Sequence, residues 1–430
     1  MQAEGRVNLS LIYRALWYGL LPLGVVWHLI FIWRRPEFRT GFWQRYGWVP
    51  RDSRQPLVIH AASVGEVNAV AGMLLQISQT SRMPLVVTTT TATGRDRCLQ
   101  LFAQHKQIQH CYMPFDLGLA QRLLLRRLQP RGVLLVETEL WPNLLRLCAA
   151  GSIPVWLING RLSQRSAKSY QRVKRLTRPM LSNLQRLLVQ DKSSARRFAH
   201  IGADRDKLQV MGSVKFDLTL PSPQHAELAQ QWLREQEPCW VCGSTREGEE
   251  ATLLQAWQKM TAVKEGLLVL VPRHPQRFEE VADICAQSGL PWRRYSDGTS
   301  EEFLAQTGKR VLLVDAMGLL IDFYRLADIT LVGGSLADKG GQNPLEAAAL
   351  GKPVLMGPST FNFASVCELL QQAGNLQLVT ASELVDLVPL LFEDVGTREA
   401  MGQAGIDLVA QQAGATQSYV TIISQEFGAR

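Results

Sequence analysis

The chain has 430 residues, more than one ordinary hydrophobic core accommodates, so its length predicts two domains. A composition of 46% hydrophobic and 20% charged residues is typical of folded proteins and excludes an intrinsically disordered chain. The net charge of +8 favours an anionic partner, and nucleic acid, acidic lipid and a phosphorylated substrate all qualify.

The first element is an apolar run from Ala15 to Trp33, close to the minimum length of about 20 residues for a helix that spans a bilayer. More arginines follow this run than precede it, so the positive-inside rule puts the remainder of the chain in the cytoplasm. We predict a retained membrane-anchor helix with a basic flank within residues 1–50. The alternatives are a helix in the interface plane and the first core helix of a domain.

A strand, a tight turn and a helix follow, at Leu57–Ile59, Ala61–Gly65 and the residues after them. This is the first βα unit of an α/β domain, and Glu66 begins its helix where ligands bind in such folds. The spacing Ser63-Val-Gly-Glu66 fits a capping box, in which the carboxylate only satisfies a backbone N–H group. An ionised glutamate can also take a proton from a hydroxyl within about 3 Å. The pattern alone leaves both hypotheses open.

Further apolar runs alternate with helical stretches and predict a parallel sheet covered by helices. They lie at Leu85–Thr88, Gln109–Met113, Gly132–Val136, Val155–Ile158 and Leu187–Gln190. The third run leads into Glu137-Thr-Glu139-Leu-Trp-Pro142, which brings two carboxylates to the end of one strand. Such like charges raise one another's pKa unless they are paired or solvated. Pro142 suits the first turn of a helix, so Glu139 can equally be an acid of that helix cap.

Basic residues dominate the later part of this domain. They are Arg161, Arg165, Lys168, Arg172, Lys174, Arg175, Arg178 and Arg186. A solvated face is the usual meaning of such a run, and contact with anionic headgroups or substrate phosphates is the alternative. Lys215, in Ser213-Val-Lys-Phe-Asp217, can offset negative charge on a ligand or lie on the surface. Asp204-Arg-Asp206 matches the D-x-D metal motif, but its polar-turn setting predicts no metal site.

A Pro- and Ser-rich stretch, Leu218–Gln224, predicts a hinge before a second βα series. Strands are predicted at Trp240–Thr245, Leu267–Val271, Val311–Asp315 and Ile329–Val332. Cys239 and Cys242 have no second cysteine pair that would complete a zinc site. In the turns after these strands, Arg273 can contact a phosphate or carboxylate, and Gly318 lets the backbone approach a ligand closely.

The last of these strands runs into Gly333-Gly-Ser-Leu-Ala-Asp-Lys-Gly-Gly-Gln-Asn-Pro-Leu-Glu346. Its four glycines predict a nest of backbone N–H groups that binds an anion, and Asn343 and Pro344 begin a helix whose N-terminus favours phosphate. Glu346 can bind ribose hydroxyls or serve as the capping partner of Asn343. The stretch is neither a Walker A motif nor a G-x-G-x-x-G after a first strand, which disfavours ATPase and NAD-binding functions.

In their order along nearly the whole chain, these motifs resemble those of the Kdo transferases. These are membrane-bound enzymes of Gram-negative bacteria that move 3-deoxy-D-manno-octulosonic acid (Kdo) from CMP-Kdo to the lipid A precursor. The resemblance rests on His60–Glu66, Glu137–Pro142, Lys215–Asp217 and Gly333–Glu346. The chain departs from the family pattern at Gly160, Ser213, Val214 and Gln342.

The resemblance implies an α/β fold of the GT-B type: two Rossmann-like domains with a cleft between them, plus the N-terminal membrane-anchor helix. The predicted organisation is 51–218 for the acceptor-binding domain, 219–236 for a linker, 237–396 for the nucleotide-sugar-binding domain, and 397–430 for a C-terminal helix that crosses back to the first domain.

The resemblance also assigns roles. It makes Glu66 the general base, and Glu137 and Lys215 the groups that stabilise the transition state, with Glu139 as the second candidate. Acceptor contacts are expected from Ser63, Gly65 and Arg161. Donor contacts are expected from Pro272, Arg273, Met317, Gly318, Leu319, Gly333, Gly334, Ser335, Asn343, Pro344, Leu345 and Glu346. Neither a metal ion nor another cofactor is expected.

The expected partners are CMP-Kdo, the lipid A precursor and inner-membrane lipid, without nucleic acid. The expected location is the cell inner membrane, through a single-pass or interfacial anchor, with the catalytic domains on the cytoplasmic side. One alternative function is that of a GT-B enzyme acting on a UDP-sugar, either a transferase or an epimerase. The other is that of a basic, membrane-tethered nucleic-acid-binding protein.

Overall fold

The computed structural model describes residues 39–218, 220–223 and 226–428, together with the isolated positions Gly19 and Arg34. Apart from Gly19, the predicted anchor Ala15–Trp33 lies outside these residues. Among the helices of the described ranges, none has the length and hydropathy that a bilayer crossing requires.

The strands of the described residues are β1 Leu57–His60, β2 Leu85–Thr89, β3 Ile108–Tyr112, β4 Gly132–Val136, β5 Val155–Gly160, β6 Arg186–Val189, β7 Leu208–Val210, β8 Cys239–Thr245, β9 Gly266–Pro272, β10 Trp292–Arg294, β11 Lys309–Leu313, β12 Ile329–Val332, β13 Val354–Met356 and β14 Leu376–Leu378.

The α-helices are α1 Val64–Ser81, α2 Ala92–Phe102, α3 Gly118–Leu128, α4 Pro142–Ala150, α5 Gln164–Arg172, α6 Lys174–Ser182, α7 Lys192–His200, α8 Ala226–Gln230, α9 Glu249–Lys259, α10 Phe278–Gln287, α11 Glu301–Ala305, α12 Leu320–Leu326, α13 Leu345–Ala349, α14 Ala364–Ala373, α15 Leu384–Glu393, α16 Val395–Gln412 and α17 Ala415–Phe427.

These elements form two compact units, each with one seven-stranded sheet. Unit 1 comprises Met1–Asp217 and Ala413–Arg430, and unit 2 comprises Leu218–Gln412. Neighbouring strands run parallel in both sheets. The prediction of two parallel α/β domains is therefore confirmed. The predicted apolar runs coincide with strands to within one or two residues.

The sheet of unit 1 has the order β3-β2-β1-β4-β5-β6-β7. Because β1 pairs with both β2 and β4, the strand order reverses between β1 and β4, and ligands bind at such a switch point. Every residue of β1 and β4 is buried, as expected when helices cover both faces of a parallel sheet. On one of these faces α1 packs with α17, whose Tyr419, Ile423 and Phe427 belong to the core.

The C-terminal segment differs from the predicted single helix that crosses back over 397–430. The structure has two helices, since Gly414 adopts a left-handed conformation with φ 93° between them. Helix α16 belongs to unit 2 and packs on α13, α14 and α15. Helix α17 belongs to unit 1, where Asp217 accepts hydrogen bonds from the backbone N–H groups of Gly414 and Thr416.

The sheet of unit 2 has the order β10-β11-β9-β8-β12-β13-β14, so its switch point lies between β8 and β12. Trp240 of β8 and Trp257 of α9 stack at 6.0 Å in the core below these strands. The short strands β10, β13 and β14 extend the sheet beyond the four strands that the sequence predicts.

Candidate active site

Glu66 lies in the first turn of α1, beside the switch point of unit 1. Its Oε2 accepts a hydrogen bond from Ala62 N at 2.7 Å, and its Oε1 accepts one from Ser63 Oγ at 3.1 Å. Ser63 Oγ in turn lies 3.5 Å from Glu66 N as the N-cap acceptor. The capping interaction is therefore present. The side chain is folded onto its own helix terminus, yet Glu66 remains partly exposed, and each oxygen keeps a lone pair for a ligand.

The carboxyl group of Glu66 has a pKa close to neutral pH. Burial raises the pKa of Glu66 to about 7, the hydrogen bond from Ala62 N opposes this, and the charges of Glu139 and Glu137 raise it further. A group with this pKa exists in both protonation states at pH 7, as a general base requires.

Glu137 follows β4 directly and has a left-handed backbone with φ 57°. This conformation costs a residue with a β-carbon roughly 1 to 2 kcal/mol, and such strain clusters at functional sites. Glu137 N donates to Ile158 O, and Arg161 N donates to Glu137 O, so the loops after β4 and β5 hold the residue. Glu137 Oε1 lies 3.0 Å from Lys215 Nζ, which brings together two predicted site residues from opposite ends of the first domain.

Glu139 lies on the same strand end and has a different environment. Trp141 Nε1 donates to Glu139 Oε2 at 2.9 Å, and the buried His60 Nε2 lies 3.4 Å from the same oxygen. Burial raises the pKa of Glu139, but the interactions with His60 and Trp141 outweigh burial and leave the pKa below its ordinary value. Glu139 is thus an ionised carboxylate whose charge acts on Glu66.

Two residues beside this acid cluster were not predicted. His60 Nδ1 lies 3.0 Å from Thr88 Oγ1, so the last residues of β1 and β2 fix the imidazole that faces Glu139. Burial raises the pKa of the Tyr170 phenol in α5, and the charge of Glu139 raises it further. His60 opens the family motif His60–Glu66 but received no role, and a tyrosine in a basic run gives no sequence signal for this placement.

The predicted acceptor contacts surround the same strand ends. Ser63 is the N-cap of α1, and Gly65 is exposed in the first turn. Arg161 is half-buried, and its carbonyl oxygen accepts a hydrogen bond from Thr138 Oγ1. The structure therefore assembles Ser63, Gly65 and Arg161 with the three glutamates in unit 1.

In unit 2 the glycine-rich loop departs from the prediction. The expected nest of N–H groups exists, with Gly334 at φ 71°, but Glu249 of α9 fills it. Glu249 Oε2 accepts from Gly334 N at 2.7 Å, and Oε1 accepts from the N–H groups of Ser335, Leu336 and Ala337 at 3.0, 2.9 and 3.2 Å. This carboxylate is buried and also accepts from Arg246 N at 2.9 Å.

Other donors of the loop are also engaged. The backbone N–H groups of Gly333, Gly341 and Gln342 donate to Gly243 O, Gly334 O and Gly333 O. Gly340 N donates to Ser359 Oγ at 3.1 Å. The N–H groups of Gly333, Gly334 and Ser335 therefore already have acceptors within the protein, and the contact of these residues with the donor stays a prediction.

Burial separates the other predicted donor residues into two sets. Ser335, Leu345 and Leu319 are buried, and Ser335 Oγ accepts a hydrogen bond from Gly357 N at 2.8 Å. Pro272 and Pro344 are buried as well. Arg273, Met317 and Gly318 are exposed at the carboxyl ends of β9 and β11. Met317 exposes 57% of its surface, which is high for an apolar side chain.

Asn343 and Glu346 form the capping interaction that was one of the two hypotheses for this pair. Asn343 Nδ2 donates to Glu346 Oε1 at 3.3 Å, and Asn343 Oδ1 accepts from Leu345 N at 3.2 Å. Burial raises the pKa of Glu346, while Asn343 and the charge of Arg273 oppose the shift. The effect of Arg273 on this carboxyl group indicates that the two side chains are neighbours.

Positive charge gathers after β8 and β9. Arg246 lies 2.7 Å from His274 Nε2, whereas Arg277 is held by Glu250 at 2.6 Å and Glu280 at 2.9 Å. Slight burial and the charges of Arg246, Arg273 and Arg277 lower the pKa of His274. Mutual repulsion of this kind favours a bound anion.

In the described ranges, no group of three or more His, Cys, Asp or Glu side chains is placed to hold a metal ion. Asp204 Oδ1 accepts from Asp206 N at 3.2 Å and caps a short 3₁₀ turn. All seven cysteines are buried and unpaired.

Residues 40–218 match the family model described as 3-Deoxy-D-manno-octulosonic-acid transferase (kdotransferase). The chain is 34% identical over 400 residues to a 3-deoxy-D-manno-octulosonic acid transferase of Haemophilus influenzae, covering 91% of this chain and 92% of that relative. It is 35% identical over 430 residues to one of Bordetella pertussis, covering 95% and 97%.

Among solved structures, a UDP-GlcNAc 2-epimerase from Neisseria meningitidis bound to UDP-GlcNAc superposes with a TM-score of 0.55. It covers 86% of this chain and all of the other chain at 15% identity, so the likeness concerns the fold alone. The two parallel-sheet units are thus of the kind found in GT-B proteins.

Proposed function

Because the chain belongs to the family of 3-deoxy-D-manno-octulosonic acid (Kdo) transferases, we propose that it is a glycosyltransferase that moves Kdo from CMP-Kdo to the lipid A precursor (lipid IVA) in lipopolysaccharide biosynthesis. The structural observation that carries the mechanism is the Glu66 carboxyl group, with its pKa near 7 among Glu137, Glu139 and Lys215.

In the proposed reaction, Glu66 accepts the proton of a sugar hydroxyl on the acceptor. The freed oxygen attacks the anomeric carbon of Kdo, and the bond from that carbon to the phosphate oxygen of CMP breaks. CMP leaves with the bonding electrons, and configuration at the anomeric carbon inverts. Positive charge develops on the sugar ring as in glycoside hydrolysis, so ionised Glu137 and Glu139 favour the transition state.

Lys215 has two tasks in this scheme. Its ion pair with Glu137 offsets part of the negative charge beside Glu66. Its ammonium group also offers hydrogen bonds to the carboxylate of Kdo or the departing phosphate. Ser63, Gly65 and Arg161 would contact the acceptor beside the same strand ends.

The donor is proposed to bind unit 2 through residues that follow β8, β9, β11 and β12. Arg273 and Arg246 would contact its phosphate, Glu346 its ribose, and the turn of Met317 and Gly318 its base. Glu249 would hold the glycine-rich loop in shape beside them. The proposed location is the cell inner membrane with both units on the cytoplasmic side, and its support is the apolar run Ala15–Trp33 with the arginines that follow.

Mass spectrometry of lipid products tests this function. Incubation of the full chain with CMP-Kdo and lipid IVA should add the mass of Kdo to the lipid and release CMP. Glu66→Gln should abolish transfer while CMP still protects the protein in a thermal-shift assay. Protection by UDP with no effect of CMP would contradict the donor, and full turnover by Glu66→Gln would return Glu66 to the capping role alone.

A further inference from the structure

Two exposed tryptophans mark the start of the described part of unit 1. Trp43 opens a 3₁₀ turn, Trp43–Tyr46, and exposes 69% of its surface, and Trp48 exposes 61%. Together with Arg39, Phe42 and Arg127 they line one open groove. We call these five residues the tryptophan surface. Large exposed apolar groups that lie together mark interaction sites in soluble domains.

The residues between the two tryptophans are held by contacts with the core of unit 1. The buried Arg45 donates from its guanidinium to Thr90 O at 2.9 Å and stacks 4.2 Å above the ring of Tyr112, while its carbonyl accepts from Phe115 N. Gly47, at φ 91°, approaches α3 so closely that a β-carbon would lie 2.2 Å from Ala120 O. The segment between the two indoles is therefore anchored to the core. Arg45 and Gly47 face the core, which leaves the two indole rings on the outside.

The surroundings of the tryptophan surface are basic. Residues 39–51 contain three arginines and no acid, and α3 beside them contains another three arginines and no acid. The guanidinium of Arg127 lies 5.1 Å above the ring of Trp48. Of the acids that flank these segments, Asp52 pairs with Arg54 at 2.7 Å, and Asp116 accepts from the N–H groups of Asn143 and Leu144. Nothing in these segments repels an anionic surface.

Indole rings and arginines suit one environment in particular. Tryptophan prefers the headgroup level of a bilayer, where its ring meets hydrocarbon and its N–H group meets water. Arginines beside it attract anionic headgroups, at roughly 1 kcal/mol for each residue near the surface. The apolar run of the sequence ends at Trp33, six residues before Arg39, and six residues span at most about 22 Å. A membrane that holds the apolar run lies within reach of this surface.

We propose that the tryptophan surface docks unit 1 onto a bilayer that contains anionic phospholipid. Trp43 and Trp48 enter the headgroup layer, and Arg39 and Arg127 contact lipid phosphates. The contact is separate from the apolar run and from the transfer chemistry, so it can fail while the proposed function stands.

The native cysteines permit a site-specific test, because all seven are buried and an introduced surface cysteine is the preferred target of a thiol-reactive dye. Trp43→Cys and Trp48→Cys, each in the full chain, are labelled with an environment-sensitive fluorophore and reconstituted into phosphatidylglycerol-containing vesicles. Leu390→Cys is the matched control, since Leu390 exposes 60% of its surface in unit 2. We expect a blue shift and quenching by a lipid-borne spin label at positions 43 and 48, and a water-like spectrum at 390.

Each other outcome overturns the proposal in a distinct way. Equal spectra at 43, 48 and 390 would mean that the surface faces water. A blue shift without quenching by the lipid-borne label would mean that the apolar run of the chain itself covers the tryptophans. If the blue shift and the quenching stay unchanged when phosphatidylcholine replaces phosphatidylglycerol, or when Arg39→Gln is added, anionic headgroups do not contribute to the contact. We expect at least a twofold loss of the response in both cases.

Discussion

Lys215 Nζ lies 3.0 Å from Glu137 Oε1, and this ion pair ties the strained residue after β4 to the 3₁₀ turn Val214–Phe216. Both side chains are mostly buried, with 19% and 17% of their surfaces exposed, so the pair is screened less than one on the surface. It places an ammonium group beside one of the two carboxylates whose charges raise the pKa of Glu66.

Removal of Lys215 separates its two proposed tasks. Lys215→Met should lower kcat by about 100-fold, the order found when a transition-state donor is lost. The double variant Lys215→Met/Glu137→Gln restores local neutrality and should remain slow if the ammonium also contacts the donor. Recovery of the wild-type kcat in the double variant would limit Lys215 to neutralising Glu137.

The rate should depend on pH through Glu66. If Glu66 is the base, kcat/KM falls about tenfold per pH unit below a midpoint near pH 7, as the carboxylate becomes protonated. Glu139→Gln removes a charge that raises the pKa of Glu66, so the midpoint should move to lower pH. Glu302→Gln, an exposed change in unit 2, is the control and should leave the profile unchanged. An identical midpoint in all three proteins would exclude Glu66 as the titrating base.

The raised pKa of Glu66 should also make the stability of the protein depend on pH. The pKa of Glu66 rises from 4.5 to about 7 on folding, so between these pH values the folded chain binds the proton and the unfolded chain does not. The free energy of unfolding should therefore fall as pH rises from about 4.5 to 7. In urea unfolding, the stability of Glu66→Gln should not change with pH through this group. Its free energy of unfolding, relative to that of the wild type, should therefore be higher at pH 8 than at pH 4.5. A constant difference between the two proteins across this range would contradict the raised pKa.

Glu249 should matter for donor binding without touching the donor. Glu249→Gln puts an amide NH₂ among five backbone N–H donors, so at least one donor loses its acceptor at a cost of about 1 to 3 kcal/mol. We expect lower stability and a weaker affinity for CMP by calorimetry. Glu247→Gln changes the exposed neighbouring acid and should affect neither. Equal behaviour of the two variants would mean that the glycine-rich loop holds its shape unaided.

His274 should report an anion in unit 2. Burial first, and then the charges of three guanidinium groups, depress its pKa, so a bound phosphate should offset the repulsion from the guanidinium groups and raise the pKa. An NMR titration of the imidazole with and without CMP measures this shift. His200, exposed in unit 1, serves as the internal control. If CMP does not change the pKa of His274, the phosphate of CMP does not bind beside this histidine.

The sequence identifies the site of unit 1 better than that of unit 2. Glu66 and Glu137 each follow an apolar run, and parallel strands bring their carboxyl ends to one edge, so their proximity can be predicted. The capping interaction of Glu66 is also visible as S-x-x-E, but the pattern cannot show that burial raises its pKa. Desolvation depends on the whole surroundings of a group, and these exist only once the sheet is assembled.

The contacts of Glu249 could not be predicted. It stands 85 residues before Gly334, and an acid in the first turn of a helix needs no further explanation than the helix dipole. The glycine pattern correctly predicts a nest of N–H groups, but such a pattern does not say whether its anion comes from a ligand or from the protein. The edge strands β10 and β14 escape prediction for another reason. They have three residues each and are partly exposed, so no apolar run marks them.

The last helix of the chain completes the unit that the first strands begin. Phe427 covers Gly132, whose β-carbon would come within 2.3 Å of the ring, and its ring lies 5.0 Å from that of Trp156. During synthesis on the ribosome, this face of the first sheet therefore stays uncovered while all of Leu218–Gln412 is made. Unit 2 is complete in the nascent chain before unit 1, although it is translated later, and a chaperone that shields apolar surface has its longest opportunity at the face around Gly132.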